Sequence, residues 1–204
     1  MQELVVATKN KKKFTEIKEL LKGTRLKIKS LLDFPRAPSI KETGHTFKEN
    51  AVKKALAITR FSGSLTLGED SGLEVAALGG RPGVYSSRFA GGKKDDILNN
   101  KKVLRLLGNL PLKKRRACYV CSVALADKNG VIAIKEGTCY GKIGFAPKGT
   151  NGFGYDPIFI VKGFKKTFGQ LSSATKHRLS HRGRALKKIK KDILAQIKNP
   201  HNSF

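Results

Sequence analysis

The hydrophobic pattern of the first thirty residues predicts a strand, a helix and a second strand. Residues 3–7 form a short apolar run, and apolar residues then recur every three or four positions over 11–22, before Gly23. The residues at this helical spacing are Phe14, Ile17, Leu20 and Leu21. Residues 26–32 form the next apolar run. This order is typical of an α/β protein.

The middle of the chain continues the alternation of helices and strands. Residues 46–49 (T-F-K-E) match a capping box and predict a helix whose inward face contains Phe47, Ala51, Ala55 and Ile58. Residues 65–67 predict a strand that ends just before Glu69 and Asp70. A further helix is predicted at about 95–107.

The C-terminal half predicts a hairpin, a glycine-rich loop and a final helix. Asn129-Gly130 separates the strands predicted at 117–126 and 131–134, and such a pair favours a tight turn. A glycine-rich stretch at 141–156 precedes a strand at 157–161. The last helix, at about 181–197, has an apolar face and a lysine-rich face. We expect one domain over 1–198 and a short polar tail at 199–204.

Composition is that of a globular protein without a membrane span. Hydrophobic residues make up 39% of the 204 residues, and no run approaches the roughly 20 apolar residues that a membrane-spanning helix needs. The first residues lead directly into the first predicted strand, so we expect no signal peptide and a cytoplasmic location.

The charge is strongly basic, with 42 Lys and Arg against 15 Asp and Glu and a net charge of +27. Such an excess attracts phosphate-rich partners, either nucleic acid or small nucleotides. The basic residues are scattered along the chain, however, which favours a solvated lysine-rich surface over a specific nucleic-acid site. A functional polyanion surface remains the alternative.

Two of the three cysteines, Cys118 and Cys121, have the C-x-x-C spacing of a zinc ligand pair. They fall within a predicted strand, where residues three apart point to opposite faces and cannot share a metal ion. We therefore interpret Cys118, Cys121 and Cys139 as small core residues of a reducing compartment.

Three polar, glycine-containing segments carry the candidate chemistry, and they suggest three loops that converge on one ligand. The first is Glu69-Asp70-Ser71-Gly72-Leu73, the second Phe153-Gly154-Tyr155-Asp156 and the third Ser180-His181-Arg182-Gly183. A carboxylate such as Asp70 beside bound phosphate needs a divalent cation, and Mg²⁺ requires only one or two protein carboxylates. Glu42 and Glu49 are both candidates for the second ligand. We favour Glu42, because Glu49 belongs to the capping box.

A further anion site is predicted where the first helix begins. Backbone N–H groups at a helix N-terminus attract phosphate, and Lys13 lies one turn further on. The segment is Thr8, Lys9, Asn10, Lys11, Lys12 and Lys13. It lacks the glycines of a Walker loop. In the second segment an aromatic ring could stack on a nucleobase, and Lys176, His181 and Arg182 could donate to phosphate or to a purine 6-oxo oxygen.

The order of these motifs resembles the inosine triphosphate pyrophosphatases, also called dITP/XTP pyrophosphatases, over about residues 3–195. The matching motifs are T-x-N-x-x-K (8–13), E-T-G-x-T-F-x-E-N-A (42–51), E-D-S-G-L (69–73), L-G-G-x-P-G-V-Y-S (78–86), F-G-Y-D-P-I-F (153–159) and S-H-R-G-x-A-L (180–186). Many members of that family carry an aspartate where this chain has Glu69.

The resemblance implies a Mg²⁺-dependent homodimer that hydrolyses ITP, dITP and XTP to the monophosphate and pyrophosphate. It also implies a long mixed β-sheet flanked by helices, with two lobes and an active-site cleft between them. By the matching motifs, Asp70 is the catalytic carboxylate and a metal ligand, and Glu42 is its metal partner. The phosphate-binding residues are 8–13 and Ser71. Those around the base and sugar-phosphate are Phe153, Gly154, Tyr155, Asp156, Lys176, His181 and Arg182.

Two other functions are compatible with parts of this pattern. The Maf-type pyrophosphatases share the general architecture but act on modified pyrimidines, and the F-G-Y-D and S-H-R-G segments argue against them. A basic nucleic-acid-binding protein on an enzyme-derived scaffold is the second alternative. A membrane partner and a sequence-specific nucleic-acid partner are not expected.

Overall fold

The computed structural model describes residues 2–92 and 94–198, and six strands within them form one mixed sheet. The strand order is β2-β1-β3-β4-β5-β6. The strands are β1 (Gln2–Val6), β2 (Leu26–Ser30), β3 (Leu65–Val75), β4 (Arg116–Asp127), β5 (Gly130–Ile143) and β6 (Phe159–Val161). Strand β1 pairs in parallel with β2 and β3, whereas β5 and β6 are antiparallel. The predicted α/β class and mixed sheet are confirmed, and the tail at 199–204 lies outside the described residues.

Five α-helices lie within the part of the chain that the structure describes. They are α1 (Lys11–Leu20), α2 (Phe47–Ser62), α3 (Asp96–Leu107), α4 (Ser173–Leu179) and α5 (His181–Lys198). Helices α1, α2, α3 and α5 match the predicted ones within a few residues. The short helix α4 was not predicted, because seven residues give too little apolar periodicity. None of these helices, as far as the structure describes them, combines the length and apolarity that crossing a membrane requires.

The described residues divide into two compact units, each with its own hydrophobic core. Unit 1 comprises the described parts of 1–70, 121–137 and 182–204, and unit 2 comprises those of 71–120 and 138–181. In unit 1 the apolar faces of α1 and α5 pack on residues of β1, β3 and β4. The core of unit 2 combines aliphatic residues with aromatic ones, among them Tyr119, Phe159 and Phe168. The cleft expected between two lobes stays a prediction, as does the single domain over 1–198.

Strand β3 is much longer than expected, which corrects the predicted position of Asp70. Its parallel pairing with β1 ends at Leu67, but the strand continues to Val75. Strand β4, its other neighbour in the sheet, is 12 residues long and offers backbone partners beyond the end of β1. Asp70 therefore lies inside a strand rather than in a loop, although it does lie past the carboxyl end of β1.

Strands β4 and β5 form the hairpin that Asn129-Gly130 predicted. The turn consists of Lys128 and Asn129, and the Asp127 carboxylate accepts from the Asn129 N–H at 2.9 Å. Strand β5 extends to Ile143, so the first part of the glycine-rich stretch is strand and not loop. Gly141 permits this, because a Cβ there would come within 2.3 Å of the Ile160 carbonyl oxygen of β6.

Gly68 sets the distance between α2 and β3 in unit 1, next to Glu69 and Asp70. A Cβ at this position would lie 2.1 Å from the Ala51 carbonyl oxygen and 2.7 Å from the Ala55 nitrogen. Both atoms belong to the backbone of α2, so a larger residue would force the helix away from the strand.

We expect Gly68→Ala to lower the free energy of unfolding by about 1–3 kcal/mol, since the added methyl group overpacks a backbone contact. Urea denaturation followed by circular dichroism would measure this. Gly92→Ala is the matched control, because a Cβ at Gly92 would have no heavy atom within 4 Å. Equal stability of the two variants would contradict the proposed close approach.

Candidate active site

The start of α1 has the local structure of a capped helix with exposed lysines before it and in its first turn. Asn10 is the N-cap, and its side-chain oxygen accepts from the Lys13 N–H at 3.1 Å. The Thr8 hydroxyl oxygen accepts from the Asn10 N–H at 3.1 Å. Lys9, Lys11 and Lys12 are exposed. Thr8 and Asn10 thus shape the turn, and their capping bonds hold it in one conformation at the positive end of the helix dipole.

Lys13 is directed toward Glu69, which belongs to a buried network of charged groups in unit 1. The Lys13 ammonium lies 2.9 Å from one Glu69 oxygen, and the Arg182 guanidinium lies 3.0 Å from the other. Arg182 also forms a short ion pair with Glu16. The Cys121 Sγ is 3.4 Å from Glu69. The glutamate in place of the family's frequent aspartate therefore contacts cations from both α1 and α5.

Arg182 is almost fully buried, with 1% of its surface exposed. Burial alone would lower the pKa of its guanidinium, but the carboxylates of Glu69 and Glu16 outweigh this and raise it. Removing an ion from water is costly unless opposite charges surround it, and here two carboxylates do so. The structure thus places Arg182 in the interior of unit 1, and its contact with substrate stays a prediction.

Asp70 is the centre of a second buried cluster in unit 1. Its carboxylate accepts from the Lys54 ammonium at 3.1 Å and from the Asn50 amide at 3.2 Å. The same Lys54 ammonium donates to Glu42 at 2.8 Å. Two carboxylates from separate segments therefore converge on one cation. Asn50 and Lys54 lie four residues apart on α2, which places both on the face of the helix that meets β3.

Burial governs the protonation of this cluster. It raises the pKa of the Asp70 carboxyl, an effect that Lys54 and Lys13 oppose and that Glu42 and Glu69 reinforce. Burial would also lower the pKa of Lys54, but Asp70, Glu42 and Glu69 outweigh it and leave that pKa raised. Lys54 consequently stays charged, while Asp70 becomes a better proton acceptor than an exposed aspartate.

The oxygen donors around Asp70 suit Mg²⁺, a hard cation that takes one or two protein carboxylates and fills its other positions with water or phosphate. Glu42 is the second carboxylate of this cluster, and the Lys54 ammonium between it and Asp70 shows that a positive charge is accommodated there. Glu49 instead accepts from the His45 N–H at 2.8 Å at the start of α2. Within 2–92 and 94–198, no group of three or more His, Cys, Asp or Glu residues could hold a metal ion.

The Phe153–Asp156 segment of unit 2 forms a turn around a buried carboxylate. Asp156 accepts from the Lys176 ammonium at 2.6 Å and from the Phe153 N–H at 2.8 Å. The Lys176 ammonium also lies 4.6 Å from the centre of the half-buried Phe153 ring. The structure therefore brings three of the predicted base-binding residues together.

Helix α3 and a neighbouring turn hold the middle of this segment in place. The Gly154 N–H donates to Asp96 at 2.8 Å, and the Gly154 carbonyl accepts from Asn100 at 2.9 Å. Gly154 has φ +64°, which a glycine adopts without strain. The Tyr155 hydroxyl donates to the Ser86 carbonyl at 2.7 Å, and its ring lies in the core. Tyr155 is thus an anchor of the turn.

Tyr119 of β4 joins His181 to Asp156 within unit 2. The rings of Tyr119 and His181 are parallel within 4°, with centroids 4.5 Å apart. The Tyr119 hydroxyl donates to Asp156 at 3.4 Å. Burial and the Asp156 charge hold the pKa of Tyr119 well above its usual value, so the hydroxyl stays a donor. The stack on Tyr119 therefore contributes to the orientation of the His181 imidazole.

Comparison with known proteins identifies the chain's relatives. A model of the Ham1 family matches residues 4–192. The chain belongs to the Ham1 family. A dITP/XTP pyrophosphatase of Desulforamulus reducens is 50% identical over 186 residues, which cover 91% of this chain and 92% of that protein. One of Bacillus cereus is 49% identical over 197 residues, which cover 95% of each chain.

Solved structures of Ham1 relatives agree with the fold described above. A HAM1 protein of Coxiella burnetii has a TM-score of 0.86 and 39% identity, over 96% of this chain and 100% of that one. A nucleoside-triphosphatase, or dITP/XTP pyrophosphatase, of Mycobacterium abscessus has a TM-score of 0.74 and 37% identity, over 92% of this chain and 97% of that one.

Four residues of this Ham1 chain lie in the candidate site but were not predicted to do so. Asn50 and Lys54 had a detectable signal, because they are polar residues on the otherwise apolar inward face of α2. Glu16 is a buried carboxylate next to Ile17 in α1, and Tyr119 is part of an apolar strand. Nothing in the local sequence distinguishes these last two from ordinary surface and core residues.

In this Ham1 chain we expect Arg182→Met to lower the free energy of unfolding by about 3–5 kcal/mol, because Glu16 and Glu69 would lose their shared buried cation. Lys187→Met, on the exposed side of the same helix, should stay within about 0.5 kcal/mol of wild type. Urea denaturation of both variants gives the comparison. A change at Arg182 no larger than that at Lys187 would exclude a structural role for the network.

Proposed function

We propose that this chain hydrolyses ITP, dITP and XTP to the nucleoside monophosphate and pyrophosphate, and so keeps deaminated purines out of DNA and RNA. The observation that carries the proposal is the buried Asp70 carboxylate, which shares the Lys54 ammonium with Glu42. The relatives named dITP/XTP pyrophosphatase, at about half identity over nearly the whole chain, support the same reaction.

Asp70 and Glu42 are the residues that would hold Mg²⁺. When bound, the ion would neutralise negative charge on the phosphate oxygens. Lys54 already lies between the two carboxylates and would have to yield its place or share it. Its stem emerges from the buried face of α2, and a movement of the ammonium away from the carboxylates would make both available to the ion.

The triphosphate is expected at the start of α1 and at Ser71. The backbone N–H groups of the first turn and the exposed Lys9, Lys11 and Lys12 offer donors and positive charge. Lys13 is held by Glu69, which fixes the direction of its side chain. Phosphoryl transfer depends mainly on positioning and on neutralising charge, and this arrangement of cations provides both.

Asp70 would accept a proton from the attacking water. The water oxygen bonds to the α-phosphorus, and the bond from that phosphorus to the oxygen bridging to the β-phosphorus breaks. The bonding electrons leave with pyrophosphate, and the proton of the water passes to Asp70 Oδ. A carboxyl whose pKa burial has raised holds that proton more readily than an ordinary aspartate.

Base recognition is assigned to unit 2. The Phe153 ring offers a surface for stacking, Gly154 and Tyr155 shape the turn behind it, and Asp156 holds Lys176. Lys176 lies against this turn and His181 stacks on Tyr119, and a purine 6-oxo oxygen would accept from one of these two donors. An adenine amino group cannot accept, which leaves the donor unpaired at a cost of about 1–3 kcal/mol. For Arg182 the resemblance implies a contact with the base or the sugar-phosphate.

We further assign this activity to the cytoplasm and to a homodimer. Nucleoside triphosphates are made and used there, and the reducing conditions fit three free cysteines. Cys121 and Cys139 are buried as predicted, whereas Cys118 is partly exposed and does not belong to the core. The family resemblance implies the dimer. A membrane or a sequence-specific nucleic-acid partner plays no part in the reaction.

Pyrophosphate release from ITP, XTP, GTP and ATP, with Mg²⁺ and then with excess EDTA, tests the proposed function. We expect turnover of ITP and XTP to exceed that of GTP and ATP at least tenfold, and EDTA to abolish it. Equal turnover of all four substrates would contradict the assignment of the base site. Undiminished turnover in EDTA would contradict the proposed Mg²⁺ requirement. The absence of pyrophosphate release from every substrate would contradict the proposed reaction.

We expect Asp70→Asn to reduce turnover of ITP by at least about a thousandfold, as expected when both proton transfer and a charged metal ligand are lost. In the absence of Mg²⁺, the Asp70→Asn variant should be no less stable than wild type at neutral pH. Because the folded-state pKa of Asp70 is raised, its ionisation weakens the fold as pH rises through that pKa. Asparagine does not ionise, so the variant should be at least as stable as wild type above that pH.

Asp95→Asn is the matched control, since asparagine caps a helix as well as aspartate does and Asp95 is the N-cap of α3. It should retain wild-type turnover. Thermal denaturation from pH 4 to pH 8 separates stability from catalysis. Near-normal turnover by Asp70→Asn would refute the catalytic role, and a large loss of stability would make Asp70 a structural residue.

A further inference from the structure

The outer face of α5 is strongly basic, and the proposed reaction does not use it. The 18 residues of this helix contain a single carboxylate, Asp192. Its basic residues are Arg182, Arg184, Lys187, Lys188, Lys190, Lys191 and Lys198. Arg182 is buried in the charge network of unit 1, but most of the others are directed away from the core. The excess of positive charge on α5 therefore belongs to its surface.

Four of these residues form one stripe, which we call the α5 basic face: Arg184, Lys187, Lys188 and Lys191. All four are exposed. At 3.6 residues per turn they fall within an arc of roughly 100°, and they extend over about 10 Å of the helix axis. The opposite side carries Ala185, Leu186, Ile189 and Ile193, which are buried in the core of unit 1.

One member of the stripe also serves the fold, since the Lys188 ammonium donates to the Glu136 carbonyl at 2.7 Å, but the concentration of like charge is unfavourable to the helix. Arg184 and Lys188 lie four residues apart, as do Lys187 and Lys191, and like charges at this spacing destabilise a helix by about 0.2–0.5 kcal/mol per pair. Asp192 lies 3.7 Å from Lys135 of β5. A surface helix selected only for solubility would instead alternate lysine with glutamate at this spacing.

We propose that the α5 basic face binds the phosphate backbone of duplex nucleic acid without sequence preference. The stripe presents at least one cation on each of its turns, at a pitch of about 5.4 Å, to a partner that carries a regular row of negative charges. The face has no aromatic residue on which unpaired bases could stack, which favours a duplex over a single strand. A net charge of +27 would also draw the protein toward such a partner from a distance.

The proposal predicts a defined salt dependence. If each of the four cations neutralises one phosphate, the logarithm of the binding constant should fall with the logarithm of salt concentration with a contribution of about −0.9 per contact. The face would therefore contribute about −3.6 to that slope. Backbone contacts carry no sequence information, so duplexes of unrelated sequence should bind equally well.

The test compares two variants of equal net charge in the full-length protein. The first is Lys187→Glu with Lys191→Glu on the α5 basic face. The second is Lys165→Glu with Lys166→Glu, two exposed lysines of unit 2. Neither pair belongs to the proposed catalytic or binding residues, so pyrophosphate release from ITP should stay at the wild-type rate in both. Binding to a fluorescent 20-base-pair DNA duplex is measured by anisotropy at several salt concentrations.

We expect the first variant to bind the duplex at least tenfold more weakly than the second. Its slope of log binding constant against log salt concentration should be smaller in magnitude than that of wild type by about 2, since two phosphate contacts are lost. An equal loss in both variants would show that net charge and not this face attracts the duplex. Tighter binding of wild type to a single strand of the same length, or to vesicles rich in phosphatidylserine, would overturn the choice of partner.

Discussion

The burial of three carboxylates in unit 1, those of Glu16, Glu69 and Asp70, is the constraint on which the rest of this structure depends. Glu69 and Asp70 are adjacent in the middle of a strand, where both are almost fully buried. Ionised carboxylates in such a place are unstable unless cations lie beside them, and three separate segments supply these cations. Lys13 comes from α1, Lys54 from α2 and Arg182 from α5. The helices that complete the core of unit 1 thus also neutralise its acidic strand.

Unit 2 also contains a buried carboxylate that needs a positive charge beside it. Asp156 is buried in a turn, and Lys176 neutralises it while Tyr119 and the backbone supply further donors. Because Asp156 holds Lys176 and Tyr119 holds His181, the donors proposed for the base are fixed before any ligand binds. Such preorganisation lowers the entropy lost on binding and keeps each donor ready for a matching acceptor.

The basic residues of the chain serve two different physical purposes. Buried cations such as Lys54 and Arg182 each lie against two carboxylates, so their charge is compensated within the fold. Exposed lysines on α5 lie near one another, and one of them, Lys188, donates to an uncharged acceptor, the Glu136 carbonyl at 2.7 Å. The amino-acid composition counts the buried cations and the exposed lysines together, and only the structure distinguishes them.

The sequence by itself determined the order of the helices and strands, the α/β class and the motifs that resemble a known family, because hydrophobic period, helix caps and turn residues are local. It also indicated Asp70 and Glu42 through those motifs. It did not reveal that β3 continues through Asp70, since the length of a strand depends on its neighbour β4. Nor did it reveal Glu16 or Tyr119 as parts of the site. The partners of a buried polar group come from distant segments, and only the tertiary structure decides which ones meet.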